Sequence, residues 1–193
     1  MENESVPKRR YLKWMIMVLG VVVLGLMLLG LTGEFLIREV RQDIYLEEPK
    51  QVAQPAIGKP APNFELQDLS ARKVNLADFY GSPLVLLFWS SWNTLATAQI
   101  KIMDDYLRVH GETLFKIITI NQQEDRSVVE NFLRRGGYRI SVLLDETGEV
   151  GERFGIKQVP TTYFLDRQGI VEDIVIGVMD EKTLVDKGER IIR

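Results

Sequence analysis

Pro83 to Trp89, "PLVLLFW", is an unbroken apolar run entered through Gly81 and Ser82. A strand with one solvated face alternates apolar and polar residues. A continuous run bounded by a turn signal therefore specifies a strand covered on both faces. Such a strand belongs inside a sheet with layers on either side, so the rest of the chain must supply those layers. Downstream, Leu95, Ile100, Met103 and Leu107 recur at helical spacing from Thr94 to about Val109, and His110-Gly111 supplies a stop.

The alternation continues. "LFKIITI", Leu114 to Ile120, is β-branched and strand-like, and "SVVENFLRRGG" reads as a helix with a glycine terminator. "SVLLDE" and "GEVGERFGI" give a short edge-like segment and a short helix. "TTYFLDRQGIVEDIVIGVM" reads as two strands about a Gly169 turn, and "DEKTLVDKGERII" as a closing amphipathic helix that Asp180 can cap. Ahead of the apolar run, "NFELQDL" and "KVNLADF" half alternate, as in a hairpin or edge pair. The predicted order is β-α-β-α-β-β-α, entered through that hairpin. Right-handed strand-helix-strand units give it a parallel core, and the last hairpin adds an antiparallel edge.

A second constraint lies at the N-terminus. Trp14 to Gly33 contains twenty residues without a charge, and a helix needs about 20 residues to cross the hydrocarbon core of a bilayer. Small residues at Gly30, Thr32 and Gly33 leave room for a cleavage site, but the apolar block exceeds the roughly 7–15 residues of a signal peptide. An uncleaved anchor is expected. Lys8, Arg9, Arg10 and Lys13 precede it, whereas the flank Glu34 to Lys50 carries three basic residues among five acids. The positive-inside rule then puts the N-terminus in the cytoplasm and the remainder across the membrane. Residues 1–33 carry four basic and two acidic groups, so of the net −3 charge the remaining residues hold −5. An acidic exported part leaves no basic field for nucleic acid. Pro49, Pro55, Pro60 and Pro62 mark the end of a stalk reaching about Ala56.

Two stretches carry a family resemblance. "GKPAPNFELQDLSARKVNLADFYGSPLVLLFWSSWN" resembles the opening of membrane-anchored thioredoxin-like proteins of the TlpA and ResA kind, within the broader redoxin (AhpC/TSA) group. "FGIKQVPTTYFLDRQGIV" resembles that family's proline loop and the hairpin after it. The resemblance spans roughly Ile57 to Ile192. It implies an α/β, thioredoxin-like fold: a central mixed sheet flanked by helices, with an N-terminal β-hairpin extension, preceded here by one transmembrane helix. The domain plan is a cytoplasmic N-terminus over 1–13, a signal-anchor helix over 14–33, a stalk over 34–56 and the redoxin domain over 57–193.

Members of that family carry Trp-Cys-x-x-Cys at the strand-to-helix junction. Trp92, Asn93, Thr94, Leu95 and Ala96 stand there in this chain, with Asn93 at the nucleophilic cysteine and Ala96 at the resolving one. Many relatives place a glutamate six positions after the first cysteine, where this chain has Gln99. The chain has no cysteine anywhere, and disulfide exchange or thiol peroxidase chemistry begins with a thiolate. Neither an amide nor a methyl group replaces it, so no thiol turnover is expected. At a helix start, Asn93 reads most simply as an N-cap. The alternative, a hydrogen-bonding catalytic group, needs a base. Gln99 is neutral, and Asp104 and Asp105 read as a solvated helix face.

In relatives, the residue before a cis-proline offers its backbone to an extended client strand. That resemblance makes Trp92, Asn93, Val159, Pro160 and Thr161 the expected binding groove. Trp89 and Trp92 read as core and rim packing. His110, the only histidine, sits at a helix end, and Met15, Met17 and Met27 belong to the span, so neither a metal nor a cofactor is expected. Glu124-Asp125 and Glu172-Asp173 read as loop surface. The resulting expectation is a membrane-tethered, exported binding module with a degenerate site, holding a protein or peptide partner. The resemblance connects it with oxidoreductases of cytochrome c maturation or envelope redox homeostasis. Two alternatives remain open: a redoxin-family enzyme acting through a partner's thiol or through non-thiol chemistry, and a spacer or assembly contact.

Overall fold

The computed structural model describes residues 15–29 and 55–192. The chain divides into two units, Met1–Gln51 and Val52–Arg193. In the first unit, residues 15–29 form a helix, α1, whose apolar side chains are exposed. Among the described residues no helix is long and apolar enough to cross a membrane. The expected span 14–33 extends past α1 at both ends, and those residues, with 1–13 and the stalk as far as residue 54, lie outside the described ones.

The second unit is built on a seven-stranded sheet. Strands β1 (Glu65–Asp68) and β2 (Lys73–Asn75) form the expected antiparallel hairpin, followed by a 3-10 turn, Leu76–Phe79. Then come β3 (Leu84–Trp89), α2 (Thr94–His110), β4 (Lys116–Gln122), α3 (Arg126–Gly136), β5 (Val142–Asp145), α4 (Glu149–Arg153), β6 (Thr161–Leu165), β7 (Val171–Ile176) and α5 (Glu181–Arg190). The sheet order is β2-β1-β5-β4-β3-β6-β7. Pairing is parallel from β3 through β4 to β5 and antiparallel from β3 through β6 to β7. Every residue of β3 is buried, as its composition requires.

The sheet separates two apolar layers. Val85, Leu87 and Trp89 of β3 face one layer with Ile100 and Met103 of α2, Val129 of α3 and Leu184 of α5. Leu84, Leu86 and Phe88 face the other, with Phe64, Leu76 and Phe154. There the Tyr163 hydroxyl donates to the Phe154 carbonyl at 2.6 Å, and burial pushes the phenol's pKa up.

The segment read as edge-like is interior. β5 lies between β4 and β1, and all four of its residues are buried. The physical reason is that the N-terminal hairpin adds to the sheet through β1 and leaves β2 as the edge. β5 and α4 are thus full members of the alternation. Asp173, read as loop surface, lies in β7 and pairs with Lys187 of α5.

Helix α5 yields two predictions. Gly188 faces Phe115, which stacks on Tyr106 with centroids 5.3 Å apart, and an added Cβ would fall 2.2 Å from Phe115 Cε1. Gly188→Ala should lower stability by about 1–3 kcal/mol through overpacking, read as a lower urea midpoint at unchanged slope. The second concerns the cap. Asp180 Oδ1 accepts the Thr183 amide at 2.8 Å, and hydrogen bonding from Thr183, through its side chain and then its backbone, lowers the carboxyl's pKa. A carboxyl with a lower pKa folded than unfolded stabilises above its unfolded pKa, and that stability is lost as pH falls through the folded value. The stability gap between the parent protein and Asp180→Ala should therefore be complete at neutral pH and narrow below about pH 4, as checked by melting curves across that range.

Candidate binding site at the strand-to-helix junction

Register places the site. Phe88, next to the last residue of β3, pairs with Thr161, the first of β6, and Thr161 pairs with Ile176, the last of β7. Three segments therefore leave the sheet at one end: the junction Ser90–Asn93, the loop ending in Val159-Pro160, and the turn after Ile176. The Val159-Pro160 peptide bond is cis. The Gly177 amide donates to the Pro160 carbonyl at 2.8 Å, and the Thr161 hydroxyl donates to the Gln158 carbonyl at 2.8 Å, so the loop is held from both sides. Among the described residues, no hydrogen bond occupies the Val159 amide or carbonyl.

At the junction the expected cap is present. Asn93 is extended, and its Oδ1 accepts the Ala96 amide at 3.0 Å. The Asn93 side chain is thus engaged with the backbone of the helix it starts. Ala96 is fully buried. Gln99 is also fully buried, and its Oε1 accepts the Met179 amide at 2.7 Å, joining α2 to the turn between β7 and α5. Gln99 Nε2 has no hydrogen-bond partner among the described residues, an arrangement that costs about 1–3 kcal/mol for a buried amide donor.

The two tryptophans divide as core and rim. Trp89 is buried and its indole N–H donates to Thr119 Oγ1 at 3.1 Å. Trp92 is 71 % exposed, and Leu95, Ile176 and Val178 at the same end of the sheet are exposed too. Large apolar side chains grouped at one end of a fold mark contact surfaces more often than isolated ones do.

Two further carboxylates differ from their sequence readings. Asp104 is buried rather than solvated: its Oδ2 accepts Arg108 Nε at 2.7 Å and its Oδ1 the Arg139 amide at 2.6 Å. It ties α2 to the segment after α3. Only Asp105 of that pair is exposed. Glu124, read as loop surface, is half-buried and reaches the junction. Its Oε1 accepts the Ser91 hydroxyl and its Oε2 the Ser91 amide, both at 2.6 Å, while Oε2 also accepts Asn121 Nδ2 at 2.7 Å. Sequence reasoning passed over this clamp. The available signal was a run of polar residues, Asn121 to Glu124, that begins in the last two residues of the buried strand β4. Beside it, the Ser90 hydroxyl donates to the Gln122 carbonyl at 3.1 Å. Asp145, at the end of β5, is buried and accepts Gln122 Nε2 and the Val150 and Gly151 amides.

These contacts hold the junction in place, and both oxygens of Glu124 are engaged in doing so. His110 ends α2, 4.8 Å from the Tyr106 ring and 3.5 Å from Glu181. Among the described residues, no three His, Cys, Asp or Glu side chains converge as metal ligands would.

The AhpC/TSA family model matches residues 57–174. Thiol-disulfide oxidoreductase ResA of Geobacillus thermodenitrificans is 29 % identical over 136 residues, covering 70 % of this chain and 78 % of the relative. ResA of Bacillus thuringiensis subsp. konkukian is 28 % identical over 170 residues, 88 % of this chain and 94 % of the relative. A crystal structure of a candidate thiol:disulfide interchange protein DsbE from Chlorobium tepidum superposes with a TM-score of 0.67 at 24 % identity, covering 72 % of this chain and 100 % of that one. The shared fold is thioredoxin-like.

Loss of the cap should be modest and specific. Asn93→Ala should cost about 1 kcal/mol of stability and Asn93→Asp much less, because only the second keeps an acceptor for the Ala96 amide. Denaturant titration of the two variants checks the order.

Proposed function

Because the chain belongs to the AhpC/TSA family and has no cysteine, we propose that it is a membrane-tethered, extracytoplasmic binding module that holds an extended polypeptide without exchanging disulfides with it. One observation carries this reading: a junction closed by a capping amide, Asn93, and a buried methyl, Ala96, lies at the same end of the sheet as a backbone edge left unpaired at Val159. Asn93 Oδ1 is committed to the Ala96 amide, while the Val159 amide and carbonyl are unpaired among the described residues. An extended segment laid against Val159 gains backbone hydrogen bonds as an added strand, and its alternate side chains meet the neighbouring surface. Trp92, Leu95, Ile176 and Val178 supply an apolar surface for them.

The relatives' names speak of thiol-disulfide oxidoreductases, which supports polypeptide partners drawn from the same redox systems. A fold does not carry a reaction once the reacting atoms are absent. Tethering is supported by the uncharged stretch Trp14–Gly33, and its orientation by the basic residues before it. The N-terminus is then cytoplasmic and the redoxin domain faces the other side.

The purified full chain should not accelerate insulin reduction by dithiothreitol. In membranes, a photo-crosslinking residue at Leu95 should give a discrete adduct that Trp92→Ala abolishes and that the same probe at Glu112 does not give. Sustained thiol turnover, or the same adducts from both positions, would refute the reading.

A further inference from the structure

A recess adjoins the junction at Ser91. It is a groove of about 500 Å³ between Ser91 and α3, lined in part by Val128, Phe132, Arg135, Gly136 and Tyr138. Its apolar wall is ordered. Phe132 lies 5.1 Å from the Trp89 ring and 5.4 Å from the Tyr138 ring, the latter pair stacked. Tyr138 keeps its place because Gly136 has no side chain: a Cβ there would fall 2.1 Å from the Tyr138 ring.

Arg135 is the one charged residue among those lining the groove, in a part of the chain, residues 34–193, that carries a net −5. Arg134 bonds Asn131. Arg135 is exposed and forms no hydrogen bond or ion pair among the described residues. A cation at a helix end is often spent on the last carbonyls. At this end the Gly137 amide takes the Arg134 carbonyl and the Tyr138 amide takes the Leu133 carbonyl. The Arg135 guanidinium is therefore free for an external carboxylate, which its planar fork suits.

We infer that this groove is a subsite for an acidic stretch of the polypeptide held at the Trp92–Val159 face, with a carboxylate on Arg135 and an apolar side chain against Phe132 and Tyr138. The inference rests on the binding-module reading and specifies its partner: a segment whose strand-forming part is followed by Asp or Glu. Continuity supports it, since Ser91 lines the groove and the next residue is Trp92. So does charge, because a lone arginine with an aromatic wall selects an anionic, partly apolar chain over a neutral or cationic one.

The test uses the full chain in phosphatidylcholine nanodiscs and short fluorescein-labelled peptides. All share one Val/Thr/Leu segment and end in Glu-Glu, Gln-Gln or Lys-Lys, with affinity read by anisotropy. The Glu-Glu peptide should bind about tenfold more tightly than the Lys-Lys peptide, and the ratio should shrink as salt is raised. Arg135→Gln should remove that preference while leaving the Gln-Gln peptide unaffected, and Trp92→Ala should weaken all three. Equal affinities, or a preference that survives Arg135→Gln, would overturn the subsite and leave the binding module standing. Failure of every peptide to bind would overturn both. Displacement of the Glu-Glu peptide by phosphatidylglycerol vesicles, but not by phosphatidylcholine vesicles, would assign the groove to a lipid surface and overturn its assignment to a polypeptide.

Discussion

Hydrogen bonding of β3 to β4 on one side and β6 on the other is the constraint from which the site follows. An all-apolar strand can be satisfied only in the interior of a covered sheet. Once it lies there, the end of β3 and the start of β6 are neighbours whatever their loops contain. The register Phe88 to Thr161 brings Trp92 and Val159 to the same end of the sheet across about 70 residues of chain. The pairing that assembles the junction needs no cysteine.

The residues at the junction answer local backbone needs. A helix start carries amide groups that need acceptors. Asn93 meets this need with one hydrogen bond, and Ala96 fills its buried position with the smallest side chain that favours a helix. Glu124 supplies the remaining restraint by gripping both the amide and the hydroxyl of Ser91. The junction is therefore a loop positioned by its own hydrogen bonds.

Much of this was legible in the sequence because it depended on local rules. The β3 run, the Asp180 cap and the Gly111 stop each follow from a residue type meeting a nearby backbone need. The errors came from partners far along the chain. β5 looked like an edge because its cover, β1, lies some 75 residues earlier. Asp104 looked solvated because a helix pattern cannot reveal an amide such as that of Arg139, supplied from another helix's end. Glu124 looked like a loop charge for the same reason, its partner Ser91 being 33 residues away. Periodicity reports which face is buried, but not which polar group will be met there.

Gln99 links two parts of the rim that have no sequence relation. Through one hydrogen bond to the Met179 amide, the first turns of α2 are joined to the turn that carries Val178. The start of α2 and the turn after β7 are thereby pinned to each other, so that a shift of either one loads the same buried amide.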